Sequence, residues 1–175
     1  MNQIIIRQTK IEDAEQHVKL GILVWRNAYK HIFPEEVFVE RENNADEKIK
    51  SFDKRIQNDN TTLSYVAEME GKIVGFIFAR MISTYEHFGD MGYADLEAIY
   101  IHPDYQGLGI GNKLKQVFID WAKTNGATKF VIGVLKDNYK ARKVYEKWGG
   151  KLDSYTQPFV KLGVGYDEVF YTFEI

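Results

Sequence analysis

Apolar residues first gather at Ile4-Ile5-Ile6, a short run that predicts an opening strand. Thr9 followed by Glu12 has the spacing of a capping box. Beyond it Val18, Ile22, Trp25 and Tyr29 fall at three- and four-residue steps, one face of a helix that Phe33-Pro34 ends. Residues 35–58 are charged, with Phe38, Ile49, Phe52 and Ile56 at partly helical spacing, and predict a second, irregular helical region. Two strand-like runs, 63–69 and 72–81, meet at Glu70-Gly71, a hairpin signal. Residues 83–92 predict a loop, and 95–101 a further strand ended by His102-Pro103. In 109–125 the residues Ile110, Leu114, Val117, Phe118 and Trp121 mark an amphipathic helix closed by Asn125-Gly126. The β-branched run 129–135 predicts a buried strand. Asn138 can cap a helix with Ala141, Val144, Tyr145 and Trp148 on its face, stopped by Gly149-Gly150. Final strands are expected near 151–156 and 168–173.

Helices that follow the first and middle strands, with no repeat or linker, predict one mixed α/β domain over residues 1–175. A chain of 175 residues can bury roughly 70% of its unfolded surface without a metal or disulfide staple. The absence of cysteine excludes disulfides, a Cys-ligated zinc and a cysteine nucleophile. A net charge of −2 argues against nucleic acid as the main partner. No run of 18 apolar residues exists, so no membrane span is expected. The stretch 1–7 lacks the layout of a signal peptide, and the expected location is the cytoplasm. His17, His31, His87 and His102 form no helical pair, so no metal site is expected.

The chemistry concentrates at Gln106-Gly107-Leu108-Gly109-Ile110-Gly111, between a predicted strand and a predicted helix. Three glycines in five residues leave backbone N–H groups uncovered, and a helix start adds its own free N–H groups and partial positive charge. Together these suit an anion, a diphosphate above all; a glycine-rich turn without a ligand is the plain alternative. A P-loop and a dinucleotide fingerprint both require a glycine at 112 and find Asn112.

About thirty residues on, Asn138, Ala141, Tyr145 and Gly149 form Asn-x-x-Ala-x-x-x-Tyr-x-x-x-Gly. Alone, Asn138 reads as a cap and Tyr145 as core. With Glu97-Ala-Ile-Tyr-Ile-His-Pro-Asp-Tyr105 and Gln-x-x-Gly-x-Gly before it, the pattern over 95–149 resembles the GNAT superfamily of acetyl-CoA-dependent N-acetyltransferases. The early Trp25-Arg26-Asn27-Ala28-Tyr29 before Pro34 is also similar to small bacterial members. One departure is Gly150, where the family has bulk; Trp148 is the expected replacement.

The resemblance implies a single mixed, mostly antiparallel sheet flanked by helices, with splayed central strands. It implies acetyl-CoA as acyl donor, its diphosphate on the backbone of Gln106, Gly107, Leu108, Gly109, Ile110, Gly111 and Asn112. Pantetheine would lie along Ile99, Tyr100 and Ile101, edge pairing that gives affinity without particular side chains. Asn138 would contact the pantetheine arm, and Lys140, Lys143 or Lys147 the ribose phosphate, unless those lysines are only a solvated face.

An alkylammonium with pKa near ~10.4 is neutral in about one molecule in 2,500 at pH 7, a cost of roughly 4.6 kcal/mol. Glu97 is the first candidate to take the proton; Asp95, on the same face by alternation, is not separable from it. Another place the resemblance offers for the acid is held by Gly133, which closes that route. Tyr145 would donate to the leaving thiolate, and direct transfer in a ternary complex is expected. Trp25, Tyr29, Phe33 and Tyr155, with Tyr85, Phe88, Phe159 and Tyr166, are nominated as acceptor walls, and Glu35, Glu36 and Asp153 as attractors of a cation. A small amine or polyamine, an antibiotic amine and a peptide N-terminus stay open as acceptors, and a CoA-binding regulatory module without turnover is the competing reading. A homodimer is compatible with the resemblance, though the chain has no heptad seam.

Overall fold

The structure, a computed structural model, describes residues 3–56 and 58–175. Met1 and Asn2, part of the stretch read for a leader, and Gln57, within the charged helical region, lie outside the described residues. In chain order the elements are β1 (Ile5–Gln8), α1 (Ala14–Tyr29), α2 (Glu35–Asn43), α3 (Ala45–Lys50), β2 (Thr62–Met69), β3 (Lys72–Arg80) and α4 (Glu86–Gly89). Then follow β4 (Ala94–Ile101), α5 (Ile110–Thr124), β5 (Lys129–Leu135), α6 (Tyr139–Lys147), β6 (Lys151–Lys161) and β7 (Val164–Glu174).

All seven strands form one sheet in the order β1-β2-β3-β4-β5-β7-β6. Every pairing is antiparallel except β4 with β5. Period-2 alternation sends neighbouring apolar residues to opposite faces. Val66, Ile73 and Phe76 meet Leu20 and Val24 of α1 on one face. Leu63, Ala67, Ile77 and Leu96 meet Ile110, Leu114 and Phe118 of α5, with Tyr145 of α6, on the other.

Four local expectations change. The first helical turn begins at Ile11, and Asp13 rather than Glu12 closes its start, accepting from the Lys10 amide at 2.8 Å. Thr9 instead turns to the sheet, where Ser64 Oγ donates to its hydroxyl. The loop at 83–92 contains the single turn α4, anchored by fully buried Phe88. β6 and β7 run well beyond the apolar cores that announced them and meet at Leu162-Gly163, both with positive φ. The extra length was hidden because β6 is an edge strand that mixes polar and apolar residues on its exposed positions and tolerates Pro158. Finally, the space beside Gly150 is filled by Phe173, not Trp148: a Cβ at 150 would stand 2.5 Å from Phe173 Cζ. The Phe173 ring in turn stacks on Phe130 at 4.3 Å.

Candidate active site

Asp95↔Val131 is the last pair that joins β4 to β5. Beyond it the two strands part, while β4 stays paired to β3 as far as Ile101↔Gly75 and β5 to β7 as far as Leu135↔Glu168. The sheet therefore forks at its centre. The His102 amide donates to Val74 on the β3 side at 2.8 Å. By alternation the Tyr100 and Ala98 amides also face β3, and those of Ile99 and Ile101 face into the fork. The expected slot and its backbone lining are both present.

At one end of the fork the chain enters the glycine turn. Gly107 and Gly109 take φ of 81° and 79°, where an L side chain is strained, and a Cβ at either would meet nothing within 4 Å. Gly109 is the N-cap of α5, and no side chain caps the helix. The first backbone bond there is Lys113 N–H to Gly109, so the amides of Ile110, Gly111 and Asn112 precede it. The first turn of α5 carries no acidic residue. Leu108 projects outward, half exposed. Around this turn Gln106 donates to the Ile101 carbonyl and accepts from Lys140 at 2.7 Å. Lys140 thus holds the turn from α6, while Lys147 is exposed at that helix's far end. An open, acid-free cradle of main-chain donors fits a diphosphate.

Asn138 serves as the cap that its position suggested. Its Oδ1 caps α6, accepting from the Ala141 amide at 3.2 Å. It is also buried beside the Tyr29 hydroxyl, itself 3.4 Å from that of Tyr100. Tyr100 packs on the α1 side of the sheet and Tyr145 on the α6 side. The two still interact electrostatically, across the fork. Burial raises the Tyr145 phenol well above its usual range, so it keeps its proton and has an O–H to donate at neutral pH.

Asp95 and Glu97, inseparable by alternation, are separated by a bulge in the β3–β4 ladder. Asp95 is fully buried, accepts from Ser83 Oγ at 2.8 Å, and is pushed up to about 7 by desolvation. Glu97 reaches the surface of the fork and pairs with Arg80. Beside that pair a cleft of about 280 Å³ opens, lined by His17, Phe52, Phe76, Phe78 and Arg80 among others. The sequence pattern presented these residues as core or surface, and none was nominated.

The nominated acceptor residues do not form one wall. Trp25, Tyr29 and Phe33 are buried in an aromatic cluster with Phe38 and Leu135, with Phe159 and Tyr166 packed against it. Tyr155 lies in another cluster, with Tyr85 packed beside Phe88 and Phe170. Glu35 is held by Arg26 at 2.8 Å. Gly133 has no side chain, yet the place above it is filled: Tyr85 Oη and Glu168 Oε1 stand 2.7 and 2.9 Å from where its Cβ would be. Glu168 went unnoticed because a lone carboxylate at the head of an apolar strand reads as a strand end. Among the described residues no group of His, Cys, Asp and Glu could hold a metal ion, and no helix is long and apolar enough to cross a membrane.

The model of the acetyltransferase (GNAT) family matches residues 23–150. An L-amino acid N-acyltransferase of Escherichia coli is 28% identical over 60% of this chain and 58% of its own. The thialysine N-epsilon-acetyltransferase of Sus scrofa is 38% identical over 32% of this chain and 33% of its own. The chain spans between 24% and 59% of the length of the curated relatives it matches. A Thermoplasma acidophilum N-acetyltransferase solved in complex with coenzyme A superposes with TM-score 0.68 at 22% identity, over 95% of this chain and 98% of that one. A GCN5-related N-acetyltransferase structure from Rhodopseudomonas palustris gives 0.76 at 20% identity, over 100% and 98%. These two likenesses bear on the fold.

Proposed function

Because the chain belongs to the acetyltransferase (GNAT) family, we propose that residues 1–175 form one N-acetyltransferase domain that moves an acetyl group from acetyl-CoA to a primary amine by direct attack in a ternary complex. The observation that carries this reading is the fork between β4 and β5, opening beside an acid-free helix start.

Acetyl-CoA, when bound, supplies an activated thioester. The amides of Gly107 to Asn112 would hold its diphosphate, and those of Ile99 and Ile101 the pantetheine amides. Tyr145, kept protonated by burial, would donate to the departing thiolate. Glu97, held by Arg80 at the mouth of the cleft, would meet the incoming ammonium. The absence of cysteine removes the commonest covalent route.

The acceptor is a small amine or polyamine or a peptide N-terminus; the named activities of the two curated relatives, on amino acids and on thialysine, favour the small amine. The setting is the cytoplasm. A melting screen with acetyl-CoA, CoA, ATP and NAD tests the site first: a bound ligand at 100 times its Kd adds about 2.7 kcal/mol. Thiol release with pooled amines then tests turnover. Stabilisation by ATP or NAD in place of acetyl-CoA would overturn the assignment, and binding without thiol release would favour the regulatory module.

A further inference from the structure

One buried carboxylate has no part in the scheme above. Glu168 is 5% exposed, on the β7 strand that flanks β5. Tyr85 Oη donates to its Oε1 and Gln157 Nε2 to its Oε2, each at 3.1 Å. Both donors are neutral, and among the described residues Glu168 enters no ion pair. A buried carboxylate without a cation is costly to keep charged. Glutamine would spare that cost and keep the bond from Tyr85, with the Gln157 amide turned to accept where it now donates.

Its position is specific. Gly133 and Glu97 each lie two residues beyond the last pair, Val131↔Asp95, one on either arm of the fork. Glu168 Oε1 occupies the place of a Gly133 side chain, so the β5 arm carries a carboxylate opposite Glu97 on the β4 arm. Tyr85 stands in front, partly exposed, its ring fixed edge-on against Phe170 at 4.7 Å. Its hydroxyl, bonded to Glu168 beside Gly133, also feels the charges of Asp95 and Glu97 on β4. Glu97 shares its charge with Arg80, so it can orient an ammonium while remaining committed to a cation.

We propose that Tyr85 and Glu168 form the relay that takes the proton from the attacking amine. This deepens, and rests on, the acetyltransferase reading. An ammonium N–H passes its proton to Tyr85 Oη as the Tyr85 proton passes to Glu168 Oε1. The amine is left with a free lone pair, Tyr85 is neutral before and after, and Glu168 ends protonated and returns the proton to solvent. The step is concerted, because burial and the surrounding carboxylates hold the Tyr85 phenol far above its usual range and disfavour a tyrosinate. Tyr85 is the catalytic residue that touches the amine, and Glu168 acts through it.

The groups facing Glu168 are Tyr85 from the turn before α4, Gln157 from β6, and the Asp95 carboxylate of β4, which in turn feels Glu97, paired with Arg80. Desolvation raises Glu168, so its ionisation should appear as an acid limb displaced toward neutrality in kcat/KM for the amine.

The test measures kcat/KM for the amine against pH, and Kd for coenzyme A, in wild type, Glu168→Gln, Tyr85→Phe, Glu168→Asp and the Tyr85→Phe/Glu168→Gln pair. The relay predicts a loss of about 100-fold or more in each of the first two variants, with Kd unchanged within about twofold. It predicts that the acid limb vanishes in Glu168→Gln and that Glu168→Asp regains at least about tenfold. The double variant should be no worse than the poorer single, because the two residues act as a unit. Should Glu168→Gln fail to fold, Tyr85→Phe carries the same expectation. An active wild type whose variants keep the limb and turn over within about threefold overturns the relay alone. A wild type that binds coenzyme A yet turns over no amine overturns the acetyltransferase reading, and the relay with it.

Discussion

The Trp148 indole N–H donates to Asn112 Oδ1 at 3.0 Å, tying the end of α6 to the first turn of α5. Asn112 supplies one of the amides proposed to face phosphate, so this bond sets the angle at which the helix start is presented. The Trp148 ring also carries Lys115 over its face at 4.8 Å. Trp148→Phe keeps the aromatic bulk and removes the donor. A hydrogen bond of this kind is worth about 1 kcal/mol net, which corresponds to a Kd for coenzyme A roughly fivefold weaker by titration calorimetry. An unchanged Kd would show that α5 is held by packing alone.

Gly109 and Gly126 stand at opposite ends of α5, with φ of 79° and 90°, and neither would bring a Cβ within 4 Å of another group. Alanine therefore strains both alike, by about 1 kcal/mol. Only at 109 does the strain fall on the helix start that carries the amides assigned to the diphosphate. Gly109→Ala should weaken coenzyme A binding at least tenfold, while Gly126→Ala loses similar stability in urea and binds as wild type. Equal affinities in the two variants would move the anion site elsewhere.

Tyr145 is buried where α6 meets the fork and stays protonated at neutral pH. Tyr145→Phe removes a hydroxyl that acts only once the thiolate develops, so kcat should fall about 100-fold with Kd for acetyl-CoA within threefold. The deficit should shrink for a thioester whose thiol leaves more easily. A variant that loses affinity and keeps kcat would place the hydroxyl in binding instead.

Legibility in the sequence followed the range of the interactions. The glycine turn, α5, β5 and the Asn138 cap depend on neighbours a few residues apart, and composition and spacing announced them. Asp95 and Glu97 were not separable, because the bulge that parts them depends on the β3 partner. The pairing of Gly150 with Phe173, and of Gly133 with Glu168, brings together residues whose relation exists only once β7 lies between β6 and β5. For the same reason Gly133 read as a missing acid, although a neighbouring strand delivers one to that place. The aromatic residues read as acceptor walls divide between two buried clusters, a division hidden in the sequence because large apolar side chains serve a core and a pocket equally well.

Asp95 gives the fold a pH dependence of definite sign. Desolvation lifts its carboxyl from 3.8 to about 7 in the folded protein, against the opposing bond from Ser83. Between those values the folded chain holds a proton that the unfolded chain has released, so stability falls as pH rises from about 4 to about 7 and levels off above. A shift of about three units amounts to a loss on the order of 4 kcal/mol over that window. Glu168 is raised by the same cause and adds a slope of the same sign, so the wild-type curve alone does not isolate Asp95. Asp95→Asn is neutral throughout and mimics the protonated form. The difference in urea unfolding free energy between it and wild type should therefore be small near pH 4 and grow by several kcal/mol in favour of the variant by pH 8. Parallel curves across that range would mean that Asp95 is solvated in the folded state, and that the carboxylate at the root of the fork is open to water rather than sealed beneath it.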